Sequence, residues 1–292
     1  MNRNPDRSTK IAGPLVPDLL RQLPGTEGMI ARPDGTKLRV VDAGAGADVL
    51  LVHGFGVPAE SYSLVQPALV GSGRRVVAYD QRGHGRSTCG TDGIGASQFR
   101  GDLRAVADYH DLRDATLVCH SMGNFVALGL LTDPAFRKRI SRAVLVSPIT
   151  GNSSKGAPSA LVQGPLIQWG LAQRLASGRR IGSILAAQSL GPGASPAVVE
   201  ASRLSMAAIP SALGPAVTML RKESVQDVLP DIDVPLYVLT GTADRTTPSW
   251  HAELIVARAQ DARIDYLADG GHMLNWEAPE HIVRAALEEW VD

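Results

Sequence analysis

Residues 115–124 read ATLVCHSMGN, and this stretch decides the fold. A run of apolar and β-branched residues leads directly into Ser121, and a helical pattern begins at once with Met122. Small residues, Cys119 and Gly123, flank the serine two positions away on each side, as a tight turn between a buried strand and a helix requires. In the common form of such a strand–serine–helix turn, glycine occupies both flanking positions. Cys119 is bulkier than glycine but still small. The stretch therefore predicts a serine hydroxyl lifted above the edge of a buried sheet.

Strand-like and helix-like segments alternate around this turn. Apolar runs typical of strands buried on both faces lie at residues 40–41, 49–52, 75–79, 115–119, 143–146, 236–239 and 264–267. Helical patterns lie at Phe99–His110, Met122–Leu131, His251–Gln260 and Pro279–Trp290. This alternation predicts an α/β fold with a doubly wound, mostly parallel sheet.

The segment 149–230 breaks the alternation. It contains no strand-like run, and glycine and proline separate its helical patterns, which are Ala160–Ala176, Ile181–Leu190, Ala197–Ala208 and Ala212–Lys222. We expect this segment to form a helical cap inserted into an α/β core. The core would comprise residues 28–148 and 231–292, and residues 1–27 would form an N-terminal extension with a short helix across residues 15–23.

Bulk composition excludes several classes of function. Because 29 basic residues balance 29 acidic ones, no net charge draws the chain to nucleic acid or to an anionic membrane. Two cysteines, Cys89 and Cys119, make neither a disulfide framework nor a metal-ligand cluster. No apolar run approaches the ~18 residues of a membrane-spanning helix, and the N-terminal apolar stretch is too short and broken for a signal peptide.

We therefore expect a cytoplasmic protein that holds no metal and no cofactor, binds no nucleic acid and has no integral membrane association. The expected partner is a small-molecule apolar acyl substrate. The sequence leaves the oligomeric state open.

A serine hydroxyl needs an adjacent base before it can act as a nucleophile at neutral pH, and histidine suits that task. Among seven histidines, His272 lies in a glycine-rich loop after a late strand, and we assign it as the base. His120 adjoins Ser121, but the side chains of neighbouring residues diverge at such a turn. His53 and His84 lie inside loop motifs, and we assign them to structural hydrogen bonds. His110, His251 and His281 fall on helical patterns, and we assign them to solvated or capping positions.

The base in turn needs a carboxylate that orients its ring. Asp244 ends the strand-plus-turn segment LYVLTGTAD and precedes a helix. Ser121, Asp244 and His272 also follow one another along the chain in the order nucleophile, acid and base, which is the order found with this kind of serine turn. A helix-capping role is the competing interpretation of Asp244. The rival carboxylates are Asp80, Asp231, Asp233 and Asp269.

Four motifs in this order resemble the α/β-hydrolase family: the serine turn, His53-Gly54-Phe55-Gly56, the segment 79–87 (YDQRGHGRS), and the segment 240–244 together with Gly271-His272. The resemblance covers nearly all of residues 28–292 outside the insertion. It implies that backbone N–H groups of Phe55 and Met122 stabilise an oxyanion. It also separates this chain from the epoxide hydrolases and dehalogenases of that family, which place an aspartate at the turn.

The sequence thus predicts a serine hydrolase of the esterase–lipase type, which cleaves an ester, lactone or thioester through an acyl-enzyme at Ser121. Carbon–carbon bond hydrolysis and cofactor-free perhydrolysis stay open. We expect the substrate pocket to be lined by Phe55, His120, Trp169, Met206 and Met219.

Two other classes of function also stay open, because a fold does not imply an activity. One is a non-catalytic receptor for a small ligand, and the other is a biosynthetic cyclase or lyase. Hydrolysis of p-nitrophenyl esters by the wild type, compared with Ser121→Ala, would discriminate between these classes.

Overall fold

The computed structural model describes residues 15–151 and 165–288, and the following account is confined to them. The strands are β1 (Thr26–Ala31), β2 (Lys37–Gly44), β3 (Ala47–Val52), β4 (Arg74–Tyr79), β5 (Ala115–His120), β6 (Ile140–Val146), β7 (Leu236–Gly241) and β8 (Ala262–Leu267). They form one sheet in the order β1-β2-β4-β3-β5-β6-β7-β8. The pairs β1–β2 and β2–β4 are antiparallel, and every other pair is parallel.

Helices cover both faces of this sheet. The α-helices are Val16–Leu19, Val65–Gly71, Ala96–Tyr109, Met122–Leu130, Pro134–Arg137, Leu171–Ser177, Arg179–Ala187, Pro196–Ala207, Gly214–Lys222, Trp250–Arg258, Leu274–Glu277 and Pro279–Leu287. Short 3-10 helices occupy Ala59–Tyr62, Ser211–Leu213 and Gln226–Asp231. The predicted doubly wound, mostly parallel α/β fold is confirmed.

Alternation of side chains along the strands divides the core into two clusters. In β3, Leu50 and Val52 face a cluster built with helices Ala96–Tyr109 and Met122–Leu130. Their neighbours Val49 and Leu51 face the opposite cluster, which is built with helices Val65–Gly71 and Pro279–Leu287. Successive side chains of a strand point to opposite faces, so a strand covered on both sides must be apolar throughout. The continuous apolar runs in the sequence have this cause.

The N-terminal edge of the sheet differs from the sequence-based expectation. Strand β1 reads TEGMIA and is largely exposed, so it carries no continuous apolar run that would have predicted it. The predicted boundary at residue 27 falls inside this strand. Ahead of it, Leu19 is fully buried and Leu23 nearly so. Leu19 packs with residues of the inserted segment, among them Val198 and Ala201. Leu19 and Leu23 therefore anchor the N-terminal segment to the rest of the fold.

Between β6 and β7, the described part of the predicted cap is helical. The helix predicted over Ala160–Ala176 is interrupted, because Gly170 adopts the left-handed conformation (φ 71°) ahead of Leu171–Ser177. Residues 160–164 of that prediction lie outside the described residues. This inserted segment, called the cap below, contacts the rest of the fold at the carboxyl ends of the strands, where Val198 packs with Val57 after β3 and Met273 after β8.

No helix among the described residues combines the length and the apolar character that crossing a bilayer requires.

Candidate active site

The turn after β5 holds Ser121 in a strained conformation. Its backbone has φ 51° and ψ −116°, which a non-glycine residue rarely adopts. Such strain persists only where the surroundings enforce it. Here the Ser121 N–H donates to the carbonyl of Val146 (3.0 Å). The Asn124 side-chain amide donates to that same carbonyl (2.8 Å). The end of β6 therefore fixes the turn that presents the Ser121 hydroxyl.

Cys119, the residue that departs from the usual turn pattern, lies in the core below the sheet edge. It is fully buried and packs in the same cluster as Phe125 and Leu145. Burial raises the pKa of its thiol well above the ordinary value, so the group stays protonated. Cys119 therefore acts as a small core residue in this structure.

His272 lies against Ser121. The Nε2 atom of His272 is 3.0 Å from the Ser121 Oγ, and its Nδ1 atom is 2.9 Å from Oδ2 of Asp244. An ionised carboxylate only accepts hydrogen bonds, so Nδ1 carries the proton and donates to Asp244. Nε2 is then free to accept the serine proton. The three side chains form one hydrogen-bonded line, although 151 residues separate Ser121 from His272.

Asp244 is buried and well supplied with donors. Its Oδ1 accepts the backbone N–H groups of Thr246 (2.8 Å) and Thr247 (2.9 Å). Burial alone would raise the pKa of Asp244, but the charge of His272 and the hydrogen bonds from His272 and Thr247 outweigh burial and hold that pKa below its ordinary value. The carboxylate consequently stays ionised at neutral pH, as an orienting acceptor must.

Two rival carboxylates lie outside this line. Asp80 is fully buried, accepts the N–H groups of Ala59 and Arg86, and pairs with Arg39. Asp269 is exposed on the loop before His272. Asp80 therefore holds the loop after β4, and neither rival contacts the imidazole.

Thr247 was not predicted from the sequence. Its Oγ1 lies 2.8 Å from Asp244 Oδ2, 3.1 Å from His272 Nδ1 and 3.1 Å from the carbonyl of Ser147. The available signal was a threonine three residues after the aspartate, at the spacing where a short side chain closes a local turn. Thr247 therefore touches both the acid and the base of the line.

The loop after β3 abuts the nucleophile. A methyl group added at Gly54 would come within 3.0 Å of the Ser121 Cβ. His53 stabilises this loop, because its Nε2 accepts the N–H of Gln81 (2.8 Å) while the Gln81 amide donates to the His53 carbonyl (2.6 Å). Burial lowers the pKa of His53 to about 4, so it is neutral. The loop therefore holds the backbone of Phe55, the residue after Gly54, in a fixed position beside Ser121.

The second predicted donor is the backbone N–H of Met122, the first residue of helix Met122–Leu130. The first N–H groups of a helix have no partner within it. This N–H is thus available for a developing negative charge next to Ser121.

His120 does not line the cavity that contains Ser121, contrary to our expectation. It is buried, and its Nε2–H donates to the backbone carbonyl of His272 (2.9 Å). Burial lowers the pKa of His120 to about 3, and the ring is therefore neutral. Its ring centroid lies 5.0 Å from that of His272. His120 supports the backbone of the base.

The assignment of His251 to a solvated or capping position is also wrong. Its side chain is buried, and Nδ1 accepts hydrogen bonds from the N–H and the hydroxyl of Thr150. The helical pattern around His251 does not reveal that the loop after β6 packs on that helix.

Ser121 and His272 open into a cavity of about 490 Å³ between the sheet edge and the cap. Phe55 and Met206 line it, as predicted. Arg245 is the only Lys, Arg, Asp or Glu residue in its wall among the residues that the structure describes. The rest of the wall is largely apolar and includes Ile149, Ile167, Ile209, Val217, Leu220 and Trp276.

Trp169 and Met219 do not line this cavity, so these two predictions are wrong. Trp169 is 75% exposed on the outer surface of the cap. Met219 packs into the main core cluster. On its helix, Val217 and Leu220 lie three residues apart and face the cavity, and a residue two positions beyond Val217 points elsewhere.

Within residues 15–151 and 165–288, no group of three or more His, Cys, Asp or Glu side chains is arranged to hold a metal ion.

Comparison with known proteins gives consistent matches. The profile of the Alpha/beta hydrolase family matches residues 49–286. A non-heme haloperoxidase of Rhodococcus erythropolis is 27% identical over 248 residues, which cover 80% of this chain and 89% of that protein. A bromoperoxidase from Bacillus anthracis superposes with a TM-score of 0.78 at 21% identity, covering 90% of this chain and 98% of that one. An esterase from Exiguobacterium antarcticum also gives 0.78 at 21% identity, with coverages of 89% and 97%.

Proposed function

The chain belongs to the α/β-hydrolase family, and from that premise we propose that it hydrolyses a carboxylic ester or a related acyl bond through an acyl-enzyme at Ser121. One observation carries the proposal. It is the hydrogen-bonded line from the Ser121 hydroxyl through His272 to Asp244, at the base of a cavity. An isolated serine is a weak nucleophile, and this line supplies the activation that it lacks.

The reaction proceeds in two halves. Ser121 Oγ attacks the substrate carbonyl while His272 Nε2 takes its proton, and Asp244 stabilises the imidazolium. The backbone N–H groups of Phe55 and Met122 bind the oxyanion, and loss of one such donor costs about 3–4 kcal/mol in comparable sites. Collapse expels the alcohol, thiol or ring oxygen, which receives the proton from His272. Water, activated by His272, then attacks the acyl-enzyme and releases the acid.

The cavity supports a small apolar acyl substrate. Its volume of about 490 Å³ lies within the roughly 300–1,000 Å³ of small-molecule sites. Met206 and Ile209 from the cap and Phe55 and Trp276 from the core contribute apolar surface to its wall. Lactones and thioesters of similar size would fit the same cavity, so the choice among esters, lactones and thioesters must be made by experiment.

The relative named a haloperoxidase favours perhydrolysis as a second candidate. Hydrogen peroxide would take the place of water at the acyl-enzyme, so that Ser121 is released together with a peracid. The first half-reaction is unchanged. Adding p-nitrophenyl acetate and hydrogen peroxide to the wild type and measuring peracetic acid formation, with Ser121→Ala as control, tests this candidate.

The primary test uses p-nitrophenyl esters of graded chain length together with a fluorophosphonate probe. The expected result is hydrolysis by the wild type, loss of turnover in Ser121→Ala, and one label on the peptide that contains Ser121. Full turnover by Ser121→Ala, or a label on another serine, would overturn the proposal. Binding of esters without hydrolysis would favour the receptor alternative, and ring closure or elimination without hydrolysis would favour the biosynthetic one.

A further inference from the structure

The loop that carries His272 rests directly on a turn of the cap. The His272 N–H donates to the carbonyl of Ser189 (2.7 Å). A methyl group at Gly271 would lie 2.2 Å from the Gly191 nitrogen, and one at Gly191 would lie 1.9 Å from the Asp269 carbonyl oxygen. Backbone therefore meets backbone with no side chain between, which only glycine permits.

Glu277 joins the two segments. Its Oε2 accepts the N–H of Gly191 in the cap (2.8 Å) and the N–H of Gly271 in the base loop (3.1 Å). Its Oε1 accepts the N–H of Met273 (3.0 Å). One carboxylate thus binds the residues on either side of His272 and the cap turn together.

Three backbone donors on two oxygens need an acceptor without a proton of its own. An ionised carboxylate meets this requirement, because it accepts on both oxygens, and hydrogen bonds to charged groups are the stronger ones. Burial raises the pKa of Glu277, and the N–H groups of Gly191, Gly271 and Met273 oppose that rise. Hydrogen bonds from these donors offset the free-energy cost of burying the Glu277 carboxylate.

We infer that Glu277 is a positioning residue for the base and couples its placement to the docking of the cap turn 189–191. The inference rests on the proposed function, in which His272 is the base. When the turn is docked, the base loop has its full set of partners. When the turn withdraws, His272 loses the hydrogen bond to Ser189, and Glu277 loses its bond to Gly191.

Glu277→Gln tests the inference with little change of shape. The amide nitrogen cannot accept, so it must face at least one of the three N–H groups. Misplacement of a catalytic group by about 1 Å can cost about 100-fold. We expect kcat to fall about 10- to 100-fold with KM nearly unchanged, and the rate of fluorophosphonate labelling of Ser121 to fall in parallel.

Gly191→Ala provides a second route to the same result from the cap side. Gly193→Ala is its matched control, because a methyl group at Gly193 meets no atom within 4 Å. We expect Gly191→Ala to lower kcat and Gly193→Ala to behave as wild type. In the double variant, Gly191→Ala should add little to the loss of kcat caused by Glu277→Gln, since both changes break the same contact between the cap turn and the loop of His272.

Thermal unfolding of each variant separates misplacement from failure to fold, and if Glu277→Gln does not fold, the pair Gly191→Ala and Gly193→Ala decides the question. The inference is overturned if folded Glu277→Gln and Gly191→Ala keep wild-type kcat and labelling rates. It is also overturned if their losses appear in KM alone or multiply fully in the double variant. Turnover that survives Ser121→Ala would instead overturn the proposed function.

Discussion

Thr247 Oγ1 lies 2.8 Å from Oδ2 of Asp244, the same carboxylate oxygen that is 2.9 Å from His272 Nδ1. The acid therefore holds two side-chain partners on one oxygen and two backbone N–H groups on the other. This arrangement fixes the direction from which Asp244 meets the imidazole. The contributions of the Asp244 charge and of the Thr247 hydroxyl to catalysis can therefore be measured separately.

Replacing Asp244 by asparagine should lower kcat by about 10⁴-fold without unfolding the protein. The amide introduced by this substitution can donate to Nδ1 of His272, which places the imidazole proton on Nε2. A protonated Nε2 cannot accept the proton of Ser121. The remaining activity should rise with pH, as hydroxide takes over the proton. Steady-state kinetics across the pH range measures both effects.

Asp269→Asn and Asp80→Asn are the charge-matched controls. Asp269 is exposed, so its variant should keep wild-type kcat. Asp80 is buried against Arg39, and the free energy of unfolding should fall by roughly 3 kcal/mol in its variant. A crippled Asp269→Asn beside a nearly normal Asp244→Asn would show that the acid is misassigned.

Thr247→Val should lower kcat roughly tenfold, the scale of one hydrogen bond to a charged group. The Thr247 hydroxyl is one of the groups that lower the pKa of Asp244, so its loss raises that pKa. Because that pKa starts below the ordinary value, the carboxylate stays ionised near neutral pH in both proteins, and kcat of Thr247→Val should be lower at every pH of the profile. Thr246→Val is the control, since Thr246 reaches Asp244 through its backbone N–H. Identical profiles for both variants would contradict a role for the hydroxyl.

Met206 should govern chain-length preference, because it lines the cavity. Met206→Ala should extend the range of p-nitrophenyl esters toward longer acyl chains, and Met206→Trp should shorten it. Labelling of Ser121 by a small fluorophosphonate should persist in both. Trp169→Ala, on the outer surface of the cap, should leave the preference unchanged. An altered preference in Trp169→Ala alone would contradict this placement of the cavity wall.

Acid should destabilise the protein in a defined window. Burial lowers the pKa of four histidines to about 3 or about 4: His53, His84, His120 and His251. These neutral rings take up protons only on unfolding, so stability is present above their unfolded pKa of about 6.5 and is lost as pH falls toward the folded values. The loss is roughly 1.4 kcal/mol per pH unit for each histidine.

Denaturant unfolding between pH 7 and pH 5 measures this slope. In His251→Asn, the amide oxygen can accept from Thr150 as Nδ1 does in the wild type, and the group does not titrate. The slope should therefore fall by about one proton. An unchanged slope in His251→Asn would show that this ring does not contribute to the acid sensitivity.

Local sequence was sufficient for the strand, serine and helix at 115–124, because the turn depends on spacing within about ten residues. The loops of Asp244 and His272 were recognisable for a similar reason. Each follows an apolar strand, and parallel strands bring their carboxyl ends to one edge of the sheet. The largely exposed edge strand β1 had no apolar run and was missed.

Tertiary structure alone decided which face each of the other side chains presents. Met219 and Trp169 read as pocket residues, and yet one packs into the core and the other is exposed. Nothing in the sequence near Glu277 indicates its partner, but it binds Gly191, which is 86 residues away. Hydrophobic pattern and turn chemistry act over neighbouring residues, whereas the partner of a buried polar group is set by where distant segments of the chain come together.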